Sequence, residues 1–257
     1  MKKLSFIGCG LLAKCLISGL SKDAEIEISG YDIFQGSLDW LVNNGHSVLS
    51  IDDCCKNADI IFLCVKPQDL PDLCESLSHV TKEGQEIISV AAGVKLEKLN
   101  ELLPRTKITR VMTNVGTKDN LGVTAIYSNH KNKSIFSLFN FLGKAIIVDT
   151  EDQIDLHTVL IGSTPAFFFD LLNEFEDKMQ GIVIDKEIRR EITILFLTSI
   201  ISAIKNDESL DALVDSVASK GGTTEAGLRL LRDKNFNSMF SEAVDKGISR
   251  AQELSKD

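Results

Sequence analysis

The chain has 257 residues, 44% of them hydrophobic, and a formal net charge of -9. That is enough for two modest domains or one large one, and the acidic balance argues against a nucleic-acid surface, which needs clustered Lys and Arg. The longest apolar stretch, Ile192 to Ile204, is interrupted by Thr193, Thr198, Ser199 and Ser202 and is too short to span a bilayer.

Lys2-Lys3 leads straight into a strand-like run, Leu4 to Ile7, broken by Gly8 and Gly10. This is unlike the long apolar centre of a signal peptide, so a cytoplasmic protein with no membrane partner is expected. A helix with Leu12, Leu16, Ile17 and Leu20 on one face follows, then a strand over Glu25 to Tyr31, a helix closed by Gly45, and a short strand at Ser47 to Ile51. The continuously apolar run Asp59 to Val65 reads as a central parallel strand, ended by Lys66-Pro67. Further strands are expected at Glu86 to Val90, Ile108 to Met112, Val123 to Tyr127 and Ala145 to Asp149. The pattern over residues 1–152 is that of an α/β, doubly wound, Rossmann-like dinucleotide-binding domain.

Over residues 153–257 the strand signal stops and helical periodicity takes over. Ile192, Leu195, Phe196, Ser199, Ile200 and Ala203 form one stripe, while Ile194, Leu197, Ile201 and Ile204 lie on other faces. A helix apolar nearly all round in so small a domain implies an all-α dimerisation domain whose stripes a second copy buries; a core helix of a compact bundle is the alternative.

In Gly8-x-Gly10-x-x-Ala13 the first glycine permits the turn, the second admits a pyrophosphate, and the third small residue lets helix and strand pack. Asp32, at the end of the second strand, can accept from both adenosine ribose hydroxyls and would repel a 2'-phosphate. No Arg or Lys lies between Ile33 and Val42, which favours NADH over NADPH; a solvated surface carboxylate is the other reading. Lys66-Pro67 and Val90-Ala91-Ala92-Gly93 follow central strands and should lie at the ligand-binding edge of the sheet. In Ser219-Lys220-Gly221-Gly222-Thr223-Thr224 the glycine turn and hydroxyls can hold a small anion, and Thr223 or Thr224 can serve as the N-cap of the next helix. The six cysteines, Cys9, Cys15, Cys54, Cys55, Cys64 and Cys74, show no metal-ligand spacing and read as free buried thiols. His46, His79, His130 and His157 read as ordinary histidines, and no metal is expected.

Taken in order, Phe6-Ile7-Gly8-Cys9-Gly10, Ile61 to Pro67, Ser89 to Val94, Arg110-Val111-Met112-Thr113-Asn114, Gly162 to Phe167 and Ser219 to Thr224 resemble the pyrroline-5-carboxylate reductases nearly end to end. The resemblance implies a nicotinamide-dependent reductase acting on a C=N bond in proline biosynthesis, a homodimer or a larger ring of dimers, and an active site between the two domains with help from a partner subunit. It implies a pyrophosphate against Ile7, Gly8, Cys9, Gly10, Leu11 and Leu12, the adenosine ribose near Asp32, and the nicotinamide beside Cys64, Val65, Lys66, Pro67, Val90, Ala91 and Ala92, with Asn114 also on the cofactor side. It implies substrate against Ser219, Gly221, Gly222, Thr223 and Thr224, with Thr224 near the imine nitrogen as the catalytic hydroxyl. Four positions depart from the family pattern: Lys220 for proline, Thr164 for glycine, Val115-Gly116 for Thr-Pro and Ser209-Leu210 for His-Pro. They leave two other readings open: a reductase of another cyclic imine or small oxo acid, and a non-catalytic nucleotide-sensing paralogue.

Overall fold

The computed structural model describes residues 1–130, 132–205 and 209–254. They form two compact units, one of Met1–Ser163 with the chain from Gly247 onward, the other of Thr164–Lys246.

The first unit is built on an eight-stranded sheet: β1 (Lys2–Ile7), β2 (Ile26–Tyr31), β3 (Ser47–Val48), β4 (Ile60–Leu63), β5 (Glu86–Ser89), β6 (Lys107–Met112), β7 (Gly122–Ser128) and β8 (Gly143–Ile147). Between them run α1 (Leu11–Leu20), α2 (Gln35–Asn43), α3 (Ile51–Asn57), α4 (Leu70–Ser78), α5 (Leu96–Leu102) and α6 (Lys133–Phe141), and α7 (Asp152–His157) follows β8. The strand order is β3-β2-β1-β4-β5-β6-β7-β8. Strands β1 to β6 are mutually parallel, β7 runs antiparallel to β6, and β8 is parallel to β7.

Alternation along the strands divides the core between the two faces of the sheet. Leu4, Phe6, Ile60, Phe62 and Ile88 pack with α1 and α6, whereas Ile7, Ile61, Leu63 and Ile87 pack with α3, α4 and α5. Phe6 and Phe62 stack across β1 and β4 at 4.3 Å between ring centroids. On the first face Gly19 of α1 lies against the turn at Val115–Asp119, where an added Cβ would come within 2.1 Å of the Thr117 carbonyl oxygen.

Each expected strand is present, but the third is shorter than its apolar pattern suggested. Ile51 opens α3 instead, because the Ser50 hydroxyl accepts the Asp53 N–H at 3.2 Å and caps a helix. The antiparallel β7 follows a tight turn closed by Asn120 in the left-handed region (φ 59°).

Arg110 on β6 is 1% exposed. Its guanidinium meets Glu151 at 2.5 Å and Asp155 at 3.5 Å, and Glu151 also accepts the Leu96 N–H at the start of α5. One carboxylate thus joins β6, α5 and the entry to α7. Arg110→Ala would leave two carboxylates in a poorly solvated place without their cation, and denaturant unfolding is expected to show a loss of about 3–5 kcal/mol.

The second unit contains α8 (Thr164–Met179), α9 (Lys186–Ile204), α10 (Leu210–Val217), α11 (Thr223–Asp233) and most of α12 (Phe236–Leu254), whose last turns belong to the first unit. The unit boundary falls at the end of a π-helical turn, Thr158–Ser163, just before Pro165, which has no N–H to donate to an ordinary α-helical acceptor. Within this unit Phe175 and Phe196 stack between α8 and α9 at 4.9 Å, and Phe167 and Phe168 meet Phe240 edge-on. Glu176 of α8, buried, holds the Arg190 Nε of α9 at 2.6 Å. Asp185 caps α9 by accepting the Glu187 and Ile188 N–H groups.

Among the described residues of this unit, Val244 is the one buried apolar side chain. Ile194, Leu195, Phe196, Ile200, Ile201 and Ile204 of α9 are all more than 40% exposed, as are Phe168, Phe169 and Leu171 of α8. The apolar faces of α9 are therefore uncovered in the single chain. Among the described residues, no helix is long and apolar enough to cross a membrane.

Candidate active site

The strand order reverses at β1, with β2 on one side and β4 on the other. This is the switch point at which open α/β sheets leave a crevice beyond the carboxyl ends of their strands. The first unit brings its expected cofactor residues to that edge. Ile7 ends β1, buried; Gly8 and Cys9 make the turn; Gly10 is the N-cap of α1; Leu11 and Leu12 form its first turn. Asp32 follows β2, Cys64 to Pro67 follow β4, Val90 to Ala92 follow β5, and Asn114 follows β6.

The two loop glycines do different work. Gly8 has φ +87°, and a Cβ there would sit 2.7 Å from the Cys64 carbonyl oxygen and 2.9 Å from Val65 Cγ1. A Cβ on Gly10 would meet nothing within 4 Å. Gly8 is thus required by the protein's own packing, while Gly10 borders open space at the positive end of α1. The first-turn N–H groups of a helix have no intrahelical acceptor and face outward there. A cradle of backbone donors, open where a side chain would fill it, fits the pyrophosphate of a dinucleotide.

Asp32, half-buried, accepts the Cys9 N–H at 2.6 Å on one carboxylate oxygen and the Phe34 N–H at 2.8 Å on the other. Cys9 is consequently turned inward, its thiol 0% exposed and its N–H committed to Asp32. Burial, with Asp32 as a lesser cause, pushes that thiol up to about 12; burial also raises Cys64. Both stay protonated near neutrality and are poor nucleophiles.

Cys64 and Val65 are half-buried, Lys66 and Pro67 exposed, Val90 and Ala91 buried, and Ala92 and Asn114 half-buried. The Asn114 carbonyl accepts the Thr117 hydroxyl at 3.0 Å. Ile33 and Phe34, which no motif singled out, are 93% and 68% exposed beside Asp32. They offer apolar surface beside Asp32, the residue expected at the ribose, and the signal for them was two large apolar residues directly after a strand-end carboxylate.

In the second unit Ser219, Gly221 and Gly222 lie in the turn between α10 and α11, and Thr223 and Thr224 open α11. Gly221 adopts φ +74°. The N-cap of α11 is Gly222, and Thr223 and Thr224 are the first two helical residues. That corrects the expectation of a threonine cap: the second glycine takes the cap conformation, leaving both hydroxyls in the first turn. The Gly221 N–H donates to Glu225 Oε2 at 2.5 Å. Glu225, three residues beyond the cap, reaches past Gly222 to the residue before it, because the cap's own N–H is taken by the Ser219 carbonyl at 2.9 Å. Lys220 is exposed.

The glycines separate packing from binding experimentally. Gly8→Ala should lower the thermal midpoint markedly, through strain at positive φ and collision with Cys64. Gly10→Ala should leave the midpoint nearly unchanged while weakening dinucleotide binding, measured by calorimetry.

Residues 151–254 match the family model for pyrroline-5-carboxylate reductase dimerisation, and residues 3–93 match a model described as NADP oxidoreductase, coenzyme F420-dependent. A pyrroline-5-carboxylate reductase of Haemophilus influenzae is 31% identical over 98% of this chain and 97% of its own length; one from Bacillus subtilis is 27% identical over 100% and 90%. Among solved structures, the Coxiella burnetii pyrroline-5-carboxylate reductase superposes with a TM-score of 0.82 at 28% identity, covering 99% of this chain and 98% of its own. A Plasmodium falciparum pyrroline carboxylate reductase, solved with NADP bound, shares the fold with a TM-score of 0.88 at 21% identity over 99% of this chain and 98% of its own. With end-to-end coverage at this identity, and a nucleotide-binding sheet followed by a helical dimerisation domain, the chain belongs to the pyrroline-5-carboxylate reductase family.

Proposed function

We propose that this protein reduces the cyclic imine of 1-pyrroline-5-carboxylate to L-proline, as a homodimer in the cytoplasm. The observation that carries this reading is the end-to-end similarity to named reductases, which takes in both the open cradle at Gly10 and the glycine turn that opens α11. The bound dihydronicotinamide supplies the hydride. The protein's part is to orient the imine, hold its carboxylate and keep water away.

The backbone N–H groups of Gly221 and of Thr223 and Thr224, in the first turn of an 11-residue helix, suit the substrate carboxylate, while the Gly222 N–H is held by the Ser219 carbonyl at 2.9 Å. The Thr224 hydroxyl lies beside the imine nitrogen and steadies its proton. A protonated imine is already activated towards hydride, so no separate general acid is required. On the cofactor side, Val90, Ala91 and Ala92 are small enough to leave room for a nicotinamide ring next to Cys64 to Pro67, and Asn114 borders the same edge. The uncovered faces of α8 and α9 are the surfaces on which two copies pair, and the free, mostly buried thiols fit a reducing compartment.

We further propose NADH as the preferred cofactor. Asp32 is held by two backbone N–H groups, so its charge cannot readily swing away from a 2'-phosphate, and no Lys or Arg follows it through Val42. Steady-state assays with each cofactor should give a higher kcat/KM for NADH; equal or better use of NADPH would refute this. Thr224→Ala should lower kcat by roughly 10²-fold, the typical cost of one polar donor at a reacting centre, with NADH affinity unchanged in a fluorescence titration. Full retention of turnover would remove Thr224 from the mechanism.

A further inference from the structure

The Gly221 N–H, one of the donors of the substrate turn, already holds a carboxylate. Glu225 Oε2 accepts it at 2.5 Å, while Glu225 Oε1 lies 3.7 Å from an Arg229 guanidinium nitrogen one helical turn further on. Both partners are reachable from solvent, the Glu225 side chain being 40% and that of Arg229 70% exposed. The left-handed conformation of Gly221 (φ +74°) aims its N–H back towards the first turn of α11, which allows the glutamate to reach it.

We propose that Glu225 is an internal competitor for the substrate carboxylate: it closes the turn when no substrate is bound and moves to Arg229 when substrate arrives. This rests on the reading that the substrate carboxylate lies on the 221–224 turn. Two carboxylates cannot share one N–H without strong like-charge repulsion, so one must leave. Arg229 gives the displaced group a partner at i+4, already close enough to need only a side-chain rotation.

The exchange has a definite kinetic signature. Displacement is complete once substrate is bound and remains so through the chemical step, so it weakens ground state and transition state alike and appears in KM rather than kcat. It also acts only on substrates that carry a carboxylate. Glu225 is therefore a positioning residue that tunes the affinity of the turn for its anion.

The test compares 1-pyrroline-5-carboxylate with 1-pyrroline, the same ring without the carboxylate, at saturating reduced cofactor. Glu225→Gln removes the charge and weakens the acceptor. It should lower KM for the carboxylate substrate roughly 2- to 5-fold, the scale of a charge at a helix N-terminus, and leave KM for 1-pyrroline as it was. Arg229→Gln removes the resting place and should raise KM for the carboxylate substrate alone. L-proline affinity measured by calorimetry should follow the same order.

A folded Glu225→Gln protein whose KM for the carboxylate substrate is unchanged or raised would overturn the proposal, leaving Glu225 as a plain cap. If that variant fails to fold, Arg229→Gln decides by the same ratio. Wild-type protein that does not reduce 1-pyrroline-5-carboxylate overturns the functional reading and this proposal together. Wild-type turnover with unshifted variant ratios overturns only the proposal.

Discussion

The nucleotide-binding unit depends on a near-collision at residue 8. The turn leaving β1 passes so close to the Cys64–Val65 peptide that only a residue without Cβ can occupy it, and this closeness sets where α1 begins. Asp32 then fixes the turn from the other side through the Cys9 N–H. The ends of β1, β2 and β4 are thereby locked together before any ligand arrives. Preorganisation of this kind lets a backbone cradle bind an anion without first ordering itself. It also explains why Cys9, in the middle of the motif, faces the core: its N–H is part of the lock.

Much of this was legible in the sequence because it rests on local chemistry. The run Ile60–Leu63 is apolar without alternation, which only a strand covered on both faces would use, and Gly8 and Gly10 stand between a strand and an amphipathic helix. Gly45, at φ +80°, ended α2 as expected. What could not be read depends on partners distant in sequence. β7 comes back antiparallel to β6 after the turn at Val115–Asp119, which packs against Gly19 of α1, and periodicity is blind to strand direction. The ion pairs of Arg110 lie with Glu151 and Asp155, far along the chain.

At the glycine turn before α11 the structure departs from the sequence reading. The sequence offered two threonines as caps, and the chain used the neighbouring glycine. A glycine cap supplies no oxygen of its own, so no side chain of the cap residue accepts the first-turn N–H groups, and both threonines stand inside the first turn. Glycine is a weaker cap than serine or threonine by a few tenths of a kcal/mol, and that small local cost leaves the N–H groups of Thr223 and Thr224 without a cap oxygen.

Among the described residues the helical unit buries one apolar side chain, Val244, where the sheet unit buries dozens. Where a dimerisation domain gains cover for its apolar faces from a second copy, the stability of α9 becomes a function of protein concentration. On dilution the glycine turn at Ser219–Thr224, which lies in that unit, would lose support while the sheet unit keeps its own core. The two units would then fail in sequence, the helical one at concentrations where the sheet is still folded.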